Sequence, residues 1–226
     1  MFQNLYFKYI SNQSYILKNI NLEIFKGEFI GIIGKTGDGK STFIDLMMGL
    51  LKPSKGYIYL DNKNIHIKNN YKILRAWRKS ISHVPQTINL FDSTIAENVA
   101  FGENANQINI EEVKNACRIA MIDEFISSLK DGYFTRVGEL GKKLSGGQRQ
   151  RIGIARALYS KSNILVFDEA TSALDVITEK KILKSIISLK NNPTVIMIAH
   201  RLTTLKEADK LVEIEKGIIK KVTVRK

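Results

Sequence analysis

Short apolar runs rich in β-branched residues recur along the chain, at 17–24, 29–33, 57–60, 81–84, 164–167 and 195–198. Between several of them apolar residues return every three or four positions, at 40–51, 110–129, 147–158 and 178–189, the spacing of helices with one buried face. Strands alternating with helices predict an α/β fold with a mostly parallel sheet. Three stretches depart from that alternation. The first 30 residues read as strands without helices, which predicts a small antiparallel β subdomain. The stretch 88–143 carries helical patterns but no strand, which predicts an inserted α-helical subdomain. The final LVEIEKGIIKKVTV has two β-like runs around Glu215-Lys216-Gly217 and reads as a closing hairpin.

Composition adds limits to this picture. The chain has 226 residues, 44% hydrophobic and 25% charged, near the averages of a globular domain and long enough for one sizeable core. No run approaches the roughly 18 apolar residues of a membrane span, and MFQNLYFKYI lacks the pattern of a signal peptide. Cys117 is the only cysteine, so no internal disulfide forms, and a small core residue is the expected role. The net charge of +13 raises the question of nucleic acid. The lysines are scattered among asparagine and isoleucine, with no stripe of interleaved aromatics, so a solvated surface is expected and nucleic acid is not.

The chemistry begins at GKTGDGKST, residues 34–42. Gly34, Gly39, Lys40 and Ser41 fit G-x-x-x-x-G-K-[ST], with an apolar run before them and a helical pattern after. Strand, glycine loop and helix form a cradle of backbone N–H groups for phosphate, helped by the helix N-terminus. Gly34, Thr36, Gly37, Gly39, Lys40, Ser41 and Thr42 are therefore candidate ATP contacts, with Lys40 on the outer phosphates and the Ser41 hydroxyl on Mg²⁺. Asp38 puts a carboxylate inside this anion-binding loop. It is tolerated if it faces outward or pairs with Lys35; facing inward it would weaken ATP binding by about 1 kcal/mol.

Mg²⁺ also wants a carboxylate. NILVFDEATSALD supplies one, because the apolar run at 164–167 ends in Asp168 and Glu169. Asp168 is the candidate metal ligand, and Glu169 the group that polarises an attacking water. LSGGQ at 144–148 is a second anion-binding helix start. One ATP cannot easily use both loops of one chain, so the pair predicts two copies facing each other, each nucleotide held between the Lys40 loop of one and the Ser145 loop of the other.

With LSGGQ the chain resembles, from end to end, the nucleotide-binding domain of the ATP-binding cassette family. That resemblance implies a P-loop NTPase (RecA-like) core at about 1–87 and 148–226, with the helical subdomain at about 88–147. It implies that Tyr9 stacks on adenine and that Gln86 touches Mg²⁺ and senses a membrane partner. It places Ser145, Gly146, Gly147 and Gln148 on a partner's nucleotide, Asp175 of SALD at the dimer interface, and His200 on the γ-phosphate. Small residues usually stand where this chain has Asp38. TRVGELG at 135–141 and STIAENVAFG at 93–102 are similar to exporter segments, so Glu139 is expected to face a transmembrane domain. The resemblance thus implies the ATPase of an exporter or flippase at the cytoplasmic face of the inner membrane, with a lipid-linked glycan as the cargo its wording most suggests. A soluble cassette ATPase acting on DNA or ribosomes is the alternative.

Overall fold

A computed structural model describes residues 1–10, 13–66, 71–199, 201 and 203–225. In chain order its elements are β1 (Phe2–Phe7), β2 (Leu17–Leu22), β3 (Phe29–Ile33), α1 (Lys40–Met47), β4 (Lys55–Leu60), β5 (Lys63–Asn64), α2 (Tyr71–Lys79) and β6 (Ile81–Val84). There follow α3 (Ile95–Val99), α4 (Ile110–Ile119), α5 (Asp123–Ser127), α6 (Gly146–Tyr159), β7 (Ile164–Asp168), α7 (Val176–Ile187), β8 (Thr194–Ile198), β9 (Lys210–Glu215) and β10 (Ile218–Val224). They divide into two compact units, Met1–Ile81 with Pro193–Lys226, and Ser82–Asn192.

The first unit holds two sheets. One is antiparallel, in the order β2-β1-β4-β5, and buries Phe2, Leu5, Phe7, Leu17, Ile20 and Leu22. In the other, β3 lies parallel between β8 and β9, and β10 closes the edge antiparallel to β9. Every residue of β8 and four of the five in β3 are buried, which is why these strands read as unbroken apolar runs rather than alternating ones. The hairpin expected at Glu215-Lys216-Gly217 is present, its turn residues Lys216 and Gly217 at φ 50° and 79°. Gly217 is required there: a Cβ would lie 1.9 Å from the Ile16 carbonyl oxygen.

The second unit sets β6 beside β7 with five helices, and no named strand lies between these two. Helix α6 packs on α3 and α4 through an apolar face that includes Ile152, Ile154 and Ala155. The helical pattern at 110–129 is not one helix. Met121 turns left-handed at φ 57°, and the Ile122 N–H bonds the Cys117 carbonyl (3.0 Å), a closing motif that ends α4. That turn buries Ile122 and Ile126 completely. Helix α2 has no fully buried residue, and its half-buried Ile73, Leu74 and Trp77 form a short apolar stripe that the sequence reading passed over. Among the described residues no helix is long and apolar enough to cross a membrane.

Candidate functional site

In the first unit the phosphate loop runs from the end of β3 to the start of α1. A Cβ at Gly34 would sit 2.3 Å from the Ile214 carbonyl oxygen, so the loop leaves the sheet where only glycine fits. Gly39 caps α1 at φ 95°, with no side chain bonding the helix start, which leaves the first-turn amides to a ligand. Gly37, at φ 88°, would present a Cβ to open space. Lys40 is 6% exposed, and its ammonium donates to the carbonyls of Gly34 (3.0 Å) and Lys35 (2.8 Å). Thr36 and Ser41 are exposed on the same loop and helix start.

Tyr9 lies at this end of the unit. Its hydroxyl is 3.4 Å from the Thr42 hydroxyl, and its ring meets Phe7 edge-on at 4.9 Å while staying 57% exposed. An open aromatic face thus stands beside the phosphate loop, the arrangement a purine base over a phosphate chain needs. Asp38 does not face water. It is 9% exposed, one oxygen accepting the Lys35 N–H (2.7 Å) and the other the Lys216 N–H (2.9 Å). Of the two alternatives the outward orientation is not adopted; the bond with Lys35 runs to its main-chain N–H, and the hairpin tip is a further partner. The bond from Lys216, with that from Lys35 and the nearby ammoniums, holds the carboxyl below the usual range.

In the second unit β7 delivers a half-buried Asp168, and Glu169 follows in a left-handed conformation at φ 52°. Such backbone in a residue with a side chain is strained, and strain of this kind gathers at functional sites. Glu169 accepts a 2.9 Å hydrogen bond from the Gln86 side chain, so the structure brings these two sequence candidates together.

The LSGGQ segment forms a capping box: Ser145 accepts from the Gln148 N–H (3.2 Å) and donates its own N–H to the Gln148 side chain (2.7 Å). A Cβ at Gly147 would lie 3.1 Å from the Ala173 carbonyl oxygen, so this helix start rests against the loop that precedes α7. Asp175 caps α7, accepting from Ile177 (3.1 Å) and Thr178 (2.9 Å). Its bonds with Thr178 hold its carboxyl low.

Sequence reasoning missed Gln150. It is 5% exposed, accepts the Ala173 N–H (2.9 Å) and donates to the Ser172 hydroxyl (3.2 Å), tying α6 to the loop before Asp175. A polar residue on the buried face of the helix pattern was the available signal.

Elsewhere in this unit Phe91 and Phe101 stack at 4.9 Å, each more than half exposed, with the Arg156 guanidinium over the Phe101 ring. Arg156 also donates to Asn98 and to the Asn89 carbonyl, while the buried Asn98 accepts the Phe91 N–H and donates to its carbonyl. An apolar aromatic surface is thus held out rigidly. Glu139 is exposed and bonded to Lys142 (2.9 Å). His200 lies outside the described residues.

The hydroxyl of Ser41, the amide of Gln86 and the carboxylate of Asp168 are hard oxygen donors. Among the described residues no three of His, Cys, Asp and Glu gather as a metal cage. Ser41 in the first unit, and Gln86 and Asp168 in the second, are each donors of a kind that suits Mg²⁺, which keeps waters and phosphate oxygens in its shell.

The description "ABC transporter" belongs to the family whose sequence profile matches residues 17–172. The chain is 44% identical to the leukotoxin translocation ATP-binding protein LktB of Mannheimia glucosida, over 96% of this chain and 30% of that one. It is 42% identical to ABC transporter B family member 29, chloroplastic, of Arabidopsis thaliana, over 96% of this chain and 33% of that one. Among solved structures, a bacterial Atm1-family ABC exporter with ATP bound matches with a TM-score of 0.90 at 37% identity, covering 99% of this chain and 38% of its own. The chain therefore spans about a third of the length of these relatives.

Proposed function

The chain belongs to the ABC transporter family, and on that premise we propose that it is the ATP-hydrolysing motor of an exporter whose membrane-spanning part lies outside these 226 residues. The observation that carries this reading is the phosphate loop with an open aromatic ring beside its helix start. In it the α1 amides and the Lys40 ammonium bind the phosphates, and Tyr9 orients the base. Ser41, Gln86 and Asp168 would hold Mg²⁺, which would supply charge neutralisation on the phosphate oxygens. Glu169 takes the proton of the attacking water and Gln86 steadies its carboxylate, as their hydrogen bond suggests. His200 is the proposed contact to the γ-phosphate.

Two copies close head to tail in this reading. The Ser145, Gly146, Gly147 and Gln148 segment and Asp175 of each copy complete the other's site, and ATP favours the closed pair through its higher affinity for it. In this reading the exposed Phe91–Phe101 pair, the Gln86 loop and Glu139 form the surface toward the membrane-spanning part, and the motor works at the cytoplasmic face of the inner membrane. Cargo choice rests with that part. A lipid-linked glycan is the cargo we propose, while relatives of this chain are named for toxin translocation. We favour export over action on DNA or ribosomes because the similar proteins carry export names.

Glu169→Gln tests the reading. ATP binding should persist, turnover should fall by about a hundredfold or more, and light scattering should find an ATP-dependent dimer. Hydrolysis at the unaltered rate would remove Glu169 from its role.

A further inference from the structure

Asp38 is an anomaly of charge, and the structure shows where that charge goes. Both carboxylate oxygens are committed to backbone N–H groups, one at the start of the loop and one on the hairpin tip 178 residues later. In a two-residue hairpin turn the first turn residue has no ladder partner for its N–H. Asp38 supplies that partner for Lys216. The tip is held on its other side too: the Gly217 carbonyl accepts the Lys18 N–H (2.7 Å), and Gly217 packs against the Ile16 carbonyl. Ile16 in turn lies against Gly39, where a Cβ would be 3.4 Å from it, and donates its N–H to the Phe7 carbonyl (2.8 Å), close in sequence to Tyr9. Loop, hairpin tip and the start of β2 thus form a closed ring of contacts around the helix start.

We infer that Asp38 is a positioning residue that fastens the phosphate loop to the tip of the C-terminal hairpin, so that nucleotide binding and the order of the hairpin are linked. The inference rests on the reading that residues 34–42 hold the phosphates of ATP. Asp38 acts through the main chain of Lys35 and does not touch the nucleotide. Serine offers one acceptor oxygen where two are used. Asparagine keeps the size but turns an NH₂ donor toward an N–H donor. Linkage is reciprocal, so ATP should also order the tip through Asp38.

The test compares the full chain with Asp38→Asn and Asp38→Ser. ATP affinity is measured by calorimetry and Lys216 amide exchange by NMR, with and without ATP. A carboxylate that merely repelled phosphate would make both variants bind ATP more tightly. The fastening role gives the opposite sign: both should bind about threefold to tenfold more weakly, the worth of one or two backbone hydrogen bonds. Lys216 exchange should quicken in both, and the slowing that ATP causes in the unaltered chain should disappear. Equal or tighter ATP binding in the variants, or unchanged Lys216 exchange, overturns the inference while leaving the proposed function standing. An unaltered chain that binds no ATP overturns the proposed function, and the inference with it.

Discussion

The two helix starts at 39–40 and 145–146 carry the same kind of motif and are built in opposite ways. The first is capped by Gly39 in a left-handed conformation, and no side chain bonds its amides. Its polar residues are spent on main chain: Lys40 on the loop's own carbonyls, and Asp38 on the loop and on the hairpin tip. The second is capped by its own side chains, Ser145 and Gln148 satisfying each other's backbone groups, and it is joined by Gln150 to the next loop. A terminus that leaves its amides unanswered is an anion site on its own. One that answers them internally is stable alone, and meets an anion only by sharing or exchanging bonds. The difference fits a division between a site that binds ATP in one chain and a surface that engages it only across a pair.

Substitutions that damage one construction and spare the other sharpen this contrast. Gly34→Ala forces a Cβ onto a backbone oxygen at 2.3 Å, and should cost about 3 kcal/mol in chemical denaturation together with ATP binding. Gln150→Ala leaves the Ala173 N–H without its acceptor beside a buried gap. It should cost about 2 kcal/mol, with ATP binding by the single chain retained. Ser145→Ala removes one arm of the capping box and should cost about 1 kcal/mol by the same measurement. Equal loss of single-chain ATP binding in all three would erase the distinction.

Much of the first region was legible in the sequence because its determinants are local. An apolar run, glycines at fixed spacing and a helical pattern specify strand, loop and helix within 20 residues. The hairpin was legible for the same reason, since Lys216-Gly217 is a turn signal between two β-like runs. The orientation of Asp38 was not, because it depends on an N–H far along the chain. Nor was the left-handed Glu169, whose conformation no local residue announces. The break at Met121 was hidden because apolar residues continue at helical spacing on both sides of it, while the chain turns to bury Ile122 and Ile126. Gln150 was passed over because a polar residue within a helix reads as surface until its partners on the adjacent loop are in view.

The outermost strand of the first unit, β10, has a consequence for the protein in bulk solution. It leaves Ile218, Val222 and Val224 exposed along a sheet edge, a template onto which a strand of another molecule could zip. Two features oppose that: the ladder with β9 slips between Ile219 and Lys221, and consecutive lysines, Lys220 and Lys221, stand where it slips. A kinked, cationic edge on a chain of net charge +13 keeps copies from polymerising side by side. The surplus of lysine thus serves colloidal stability.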